Sequence, residues 1–180
     1  MTEVGLSMYL DMLDRAVKAM KEGRKPALDA PLAAQSEVEM RVPALLPDDY
    51  VADVHVRLAL YKRIAGAVDE SALEELTAEL VDRFGELPPQ TQNLLRNARL
   101  RLIARRLGIR RLDFGAHGGH MIFEAENKID PKAVIRLVQD RSREYRLEGP
   151  LKLRVSHELD DEADRYEFVA LLLGKLASTN

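Results

Sequence analysis

Leu107-Gly108-Ile109-Arg110-Arg111-Leu112-Asp113-Phe114-Gly115-Ala116-His117-Gly118-Gly119-His120-Met121-Ile122-Phe123 is where the apolar pattern of this chain changes its period. Before Gly108, apolar residues recur at three- and four-residue spacings, the signature of helices that bury one side. After it, Leu112 and Phe114, then Met121 and Phe123, alternate with other residues and flank Gly115-Ala116-His117-Gly118-Gly119. That pattern predicts a β-hairpin with a flexible turn. Helices in one block and antiparallel strands in another predict an α+β fold, a helical array plus a small antiparallel sheet.

Upstream of the switch, Pro88 and Pro89 pre-set the first turn of a helix whose Leu95, Ala98 and Leu102 face inwards until Gly108 ends it. Ser71 and Glu74 fit a capping box for the preceding helix, with Leu73, Leu76, Leu80 and Phe84 at core spacing and Gly85 as its stop. Asp53 is the expected N-cap of the helix before that, whose stripes Val54-Leu58-Tyr61-Ala65-Val68 and Val56-Leu60-Ile64 predict contact on two sides. Val38, Met40 and Val42 alternate with charged residues in a short strand stopped by Pro43. At the start, Leu6, Tyr9, Leu10, Leu13, Val17 and Met20 stack along a helix ending near Gly23, which a connector through Ser36 joins to the rest. Residues 1–36 are thus read as a linker helix and connector, and 37–180 as the main domain. Downstream, Asp130-Pro131 starts a helix through Val138, Leu151, Leu153 and Val155 form a strand, and Tyr166, Val169, Leu172, Leu173 and Leu176 line a last helix.

At 180 residues and 46% hydrophobic composition the chain is long enough to hold itself together without a metal or a disulfide. It contains no cysteine, which excludes thiol catalysis, Cys-ligated zinc and iron–sulfur chemistry, and fits a reducing, cytoplasmic setting. The longest apolar runs, such as Phe168 to Leu173, fall far short of the roughly 18 residues that cross a bilayer, so no membrane association is expected. With 27 basic against 30 acidic residues there is no global pull towards nucleic acid, and any such contact needs a local patch.

Asp161-Glu162-Ala163-Asp164 spells the acidic box of a helicase motor, yet no buried strand precedes it and no G-x-x-x-x-G-K-[ST] loop occurs in the chain. An acidic helix start favoured by the helix dipole is the better reading. His117 and His120 fall short of the three or four ligands that zinc takes, and no acidic pair lies in an evident pocket, so neither a metal nor a catalytic site is expected. Two surfaces remain. Arg96, Arg99, Arg101, Arg105, Arg106, Arg110 and Arg111 form a stretch without acidic residues between Glu86 and Asp113, of which Arg99, Arg105, Arg106 and Arg110 are the candidate nucleic-acid contacts. They divide into two helical stripes with no aromatic between them, and solvated arginines paired to a neighbouring acidic helix are the alternative. Glu75, Glu79 and Asp82 recur at i, i+4 and i+7, opposite the apolar face of their helix, and present carboxylates along one outward ridge. That ridge is either a solvated face, helped by a Glu79–Arg83 pair, or a docking surface for arginines, where losing one desolvated carboxylate costs about 2–5 kcal/mol.

The stretch Val38-Glu39-Met40-Arg41-Val42-Pro43-Ala44-Leu45-Leu46-Pro47-Asp48-Asp49-Tyr50, continued by Asp53-Val54, Arg57-Leu58 and Tyr61-Lys62-Arg63-Ile64-Ala65, and then Glu79-Leu80-Val81-Asp82-Arg83-Phe84-Gly85, resembles the C-terminal domain of the bacterial transcription-repair coupling factors, the Mfd family. The similarity runs from about Gly5 to about Leu176. Family members are ATP-driven DNA translocases that act on stalled RNA polymerase and recruit the repair protein UvrA. The resemblance implies a regulatory piece of such a protein, with ATP and Mg²⁺ bound in a motor upstream and no cofactor here. It also implies a clamp on the N-terminal UvrB-like module of the same protein, to which acidic residues matching Glu79 and Asp82 contribute, masking the surface for UvrA until polymerase is engaged.

Overall fold

A single long helix organises the molecule. The computed structural model describes residues 36–177, and in it this helix, α3, runs from Pro89 to Leu107. Two prolines open it and Gly108, at φ 74°, closes it by bending the chain into the left-handed region that an L side chain adopts only with strain. Before it come β1 (Glu37–Glu39), α1 (Val54–Ala65) and α2 (Glu70–Phe84). After it come β2 (Ile109–Gly115), β3 (Gly118–Phe123), α4 (Pro131–Asp140), β4 (Tyr145–Leu147), β5 (Lys152–Ser156) and α5 (Glu162–Leu176). The N-terminal helix and connector expected before Ser36 lie outside the described residues.

The fold is α+β, as the switch at Gly108 implies, but the sheet is mixed and holds five strands in the order β1-β2-β3-β5-β4. β1 lies parallel to β2, with Val38 opposite Leu112, and every other pairing is antiparallel. A parallel neighbour needs a crossover connection, and α1, α2 and α3 together supply it. β1 is also shorter than its alternation suggests: the ladder ends at Glu39, and Arg41 takes φ 54° with its N–H bonded to the Glu39 carboxylate at 2.9 Å.

Two apolar cores result, and α3 serves both. Its first half sends Leu94, Leu95 and Ala98 into a helical core with Leu60, Ile64, Leu73, Leu76 and Leu80. Its second half sends Leu100, Ala104 and Leu107 against the sheet, where Leu112, Phe114, Met121 and Leu153 are fully buried. Helix α1 buries the Leu60-Ile64 stripe, while Val54, Leu58 and Val68 of the other expected stripe stay exposed, because among the described residues α1 meets α2 and α3 on one side alone.

The hairpin glycines do not make a flexible turn. Ala116 and His117 form the turn, while Gly118 and Gly119 belong to β3. A Cβ at Gly119 would fall 1.9 Å from the Asp113 carbonyl oxygen, so glycine is required by the close approach of β2 and β3 rather than by bending.

Polar groups stitch the two halves together. Arg165 of α5 is 5% exposed, and its guanidinium donates to the Met40 carbonyl at 2.7 Å and to the Leu159 carbonyl from Nε and Nη2 at 3.1 and 3.0 Å. Asn93 Nδ2 donates to the Pro43 carbonyl at 3.1 Å and to Glu162 Oε2 at 3.0 Å, and the Tyr166 hydroxyl donates to Asn97 Oδ1 at 2.5 Å. Replacing Arg165 by Leu strands buried carbonyls and should lower unfolding free energy by about 2–4 kcal/mol. The exposed neighbour Glu167→Ala should stay within about 0.5 kcal/mol. Urea unfolding of the two variants checks this, and equal midpoints would overturn it.

Candidate functional site

Helix α2 begins two residues earlier than the capping box Ser71–Glu74 predicts. Asp69 is the N-cap and accepts from Ala72 N at 2.9 Å, which leaves Glu74 free on the surface. Leu73, Leu76 and Leu80 then point into the helical core and fix what the rest of the helix shows to solvent. At about 100° per residue, Glu75 and Asp82, seven apart, share the outward face, and both are exposed. Neither they nor Glu74 makes an ion pair among the described residues.

Glu79, by contrast, is turned towards α1. Its carboxylate accepts Arg63 Nη1 at 2.9 Å and Nη2 at 2.6 Å, a two-pronged contact, and Arg83 Nη1 at 2.7 Å. The Glu79–Arg83 pair expected at i, i+4 is therefore present, and a partner 16 residues away outranks it in geometry. Those two guanidiniums, Arg63 first, hold the Glu79 carboxyl down to about 2 from an ordinary 4.5. Glu79 braces α1 against α2, while Glu75 and Asp82 are displayed beside it.

Between α2 and α3 the surface dips into a shallow depression of about 520 Å³ lined by Glu74, Thr77, Ala78, Val81, Asp82 and Arg99. Val81 is 47% exposed there, an aliphatic spot among carboxylates. Glu74 and Val81 carry no signal in the ridge spacing; the 4- and 3-residue steps that pick out Glu75, Glu79 and Asp82 pass over them. Arg99 closes one end of the depression by donating to Glu70 Oε1 at 2.6 Å.

The other candidate arginines lie apart from it. Arg105 and Arg106 line a separate groove at the end of α3, and Arg110, beyond Gly108 on β2, lines neither hollow. Arg96 lies over the Tyr166 ring, 5.5 Å from its centroid, and Arg111 bridges Glu37 at 2.6 Å and Asp113 at 3.3 Å. Burial pushes the Asp113 carboxyl up, yet Arg41 and Arg111 outweigh it and hold it below its usual value.

His117 and His120 part company. His117 Nδ1 lies 3.0 Å from Glu158 Oε2 on the exposed rim, with Asp160 close by, whereas His120 stands across the ladder from Asp113, half-buried, and burial lowers its pKa. Asp161 caps α5 by accepting from Asp164 N at 3.0 Å, so the acidic string has the helix-start role read from the sequence.

A family described as the TRCF domain matches residues 40–134. The transcription-repair-coupling factor of Haemophilus influenzae is 46% identical over 175 residues, 97% of this chain and 15% of that protein. Its counterpart in Escherichia coli is 44% identical over 176 residues, 98% of this chain and 15% of the relative, and that of Myxococcus xanthus 37% over 151 residues, 84% and 12%. This chain therefore spans about 15% of the length of the first two relatives. In fold it is similar to a crystal structure of the C-terminal domain of transcription-repair coupling factor, with a TM-score of 0.66 at 20% identity over 78% of this chain and 91% of the other. No helix among the described residues is long and apolar enough to cross a membrane.

The brace at Glu79 has a pH signature. Its folded pKa lies below the ordinary value, so its contribution to stability is complete above about pH 5 and is lost as pH falls towards 2. Native chain and Glu79→Gln should differ in urea midpoint at neutral pH, with the native chain the more stable, and the gap should close on acidification. A gap independent of pH would remove the carboxylate from the explanation.

Proposed function

This chain belongs to the transcription-repair coupling factor family, and we propose that it serves there as a C-terminal regulatory clamp with no catalytic step of its own. Residues 37–180 form the clamp, and residues 1–36 link it to a motor upstream, where ATP and Mg²⁺ bind. The clamp rests on the N-terminal UvrB-like module of the same protein, in the cytoplasm, and covers the surface that module offers to UvrA. Engagement of stalled RNA polymerase on DNA releases it.

The observation that supports this reading is the displayed pair Glu75 and Asp82, together with Glu74 around the exposed Val81. Carboxylates that no cation among the described residues neutralises, on a helix braced by Arg63 and Glu79, suit a basic partner surface. Charge-rich contacts of this kind release more readily than a large apolar interface, which fits a two-state switch opened by a competing ligand.

Calorimetric titration of the chain with the isolated UvrB-like module of its parent tests the proposal, with Glu75→Lys, Asp82→Lys as the double variant. Wild type should bind, the double variant should bind at least about tenfold more weakly, and a DNA duplex should give no heat. No binding by the wild type, together with salt-sensitive DNA binding, would move the function to Arg105 and Arg106.

A further inference from the structure

The C-terminal end of α3 and the loop after β3 enclose a groove of about 960 Å³, separate from the depression beside α2. Its aliphatic lining is Val68, which is 74% exposed, the half-buried Leu102 and the edge of Ile129, which is 7% exposed. Its rim carries Arg105, Arg106 and Lys128, none of which forms an ion pair among the described residues, against one lining carboxylate, Glu126.

The walls are fixed before anything binds. Glu124 N–H donates to the Gly108 carbonyl and Lys128 N–H to the Leu107 carbonyl, both at 2.8 Å. Within the loop, Asn127 Nδ2 donates to the Glu124 carbonyl at 2.7 Å, and Ile129 N–H to Asn127 Oδ1 at 3.1 Å. A Cβ at Gly108 would sit 2.7 Å from the Asn127 Cα, so the loop closes onto the helix end only because that residue is glycine. A preformed groove spares its ligand the cost of ordering the loop.

We propose that this groove docks an acidic amphipathic helix from a protein partner. Aliphatic side chains of that helix lie on Val68, Leu102 and Ile129, and its carboxylates meet Arg105, Arg106 and Lys128. Such helix-in-groove recognition uses apolar anchors at i, i+3, i+4 and i+7 for affinity and rim charges for partner choice. Nucleic acid fits less well: no aromatic side chain among the described residues lines the groove to stack a base, the aliphatic lining offers a phosphate nothing, and Glu126 repels it. The site is independent of the ridge at Glu75 and Asp82, so the two proposals stand or fall apart.

The test is a nitrogen-edited NMR titration of the whole chain with a blocked model peptide that has Leu at i, i+3, i+4 and i+7 and Glu at the other positions. The peptide with Lys in place of Glu and DNA oligonucleotides, single-stranded and duplex, are the comparison arms. Saturable shifts at Val68, Leu102 and residues 124–130 are expected. Arg105→Glu, Arg106→Glu should weaken binding at least about tenfold, Val68→Asp should do the same, and Glu75→Lys, Asp82→Lys should change nothing. All substituted positions are exposed, and circular dichroism of each variant confirms that the fold is intact. The proposal is overturned if the shifts are absent or fall elsewhere, if the Lys peptide binds equally well, if DNA perturbs these residues more strongly, or if sedimentation shows that a second copy of the chain fills the groove.

Discussion

The guanidinium of Arg165 sits where the chain crosses itself, and the rest of the architecture depends on its being satisfied there. It holds the Met40 carbonyl just after β1 and the Leu159 carbonyl just before α5, fixing the point at which the strand leaves the sheet for the helical half. Beside it, Asn93 and Tyr166 fasten the same crossing to α3. Buried polar groups of this kind contribute little when complete and cost much when broken. They therefore specify one arrangement of two apolar cores that could otherwise slide on their shared helix.

That arrangement separates mechanical from displayed charge. Glu79, Arg63 and Arg83 use one another up between α1 and α2. Glu75 and Asp82, on the same helix but rotated outward, are left for something else. The coupling makes the ridge a stiff presentation surface: the backbone under it is held by Leu73, Leu76 and Leu80 below and by the Arg63 contact at the side. A partner meeting that ridge would not have to order it first.

Much of this was legible in the sequence, for a reason that can be given residue by residue. Asp53 and Asp130 cap their helices as read, and Asp161 caps the helix whose acidic start was read, because a helix start depends on two or three neighbouring residues. Gly108 marks the change of period because one residue in the left-handed region can end a helix by itself. What escaped reading depends on partners far along the chain. The parallel seat of β1 against β2, the Arg63–Glu79 contact and the Arg165 bonds to Met40 have no local spacing to betray them. β4 is three residues long and lies among charged neighbours, too short to establish a period of two. Of the candidate site, the outward positions of Glu75 and Asp82 followed from helical geometry, whereas the inward turn of Glu79 and the presence of Val81 between the acids did not.

The short parallel strand β1 also sets an order of events. Its pairing joins Glu37 to Arg111 across 74 residues, so the loop it closes contains the whole helical half. Loop-closure entropy delays such a contact until the intervening helices have packed, and its three-residue ladder, like that of β4 at the other edge, gives the sheet little protection there once formed. β1 is thus expected to dock late, and the two edge strands to fray before the centre of the sheet. Without β1 the edge of β2 is bared, with Leu112 and Phe114 behind it, a seam open to strand addition by a neighbour.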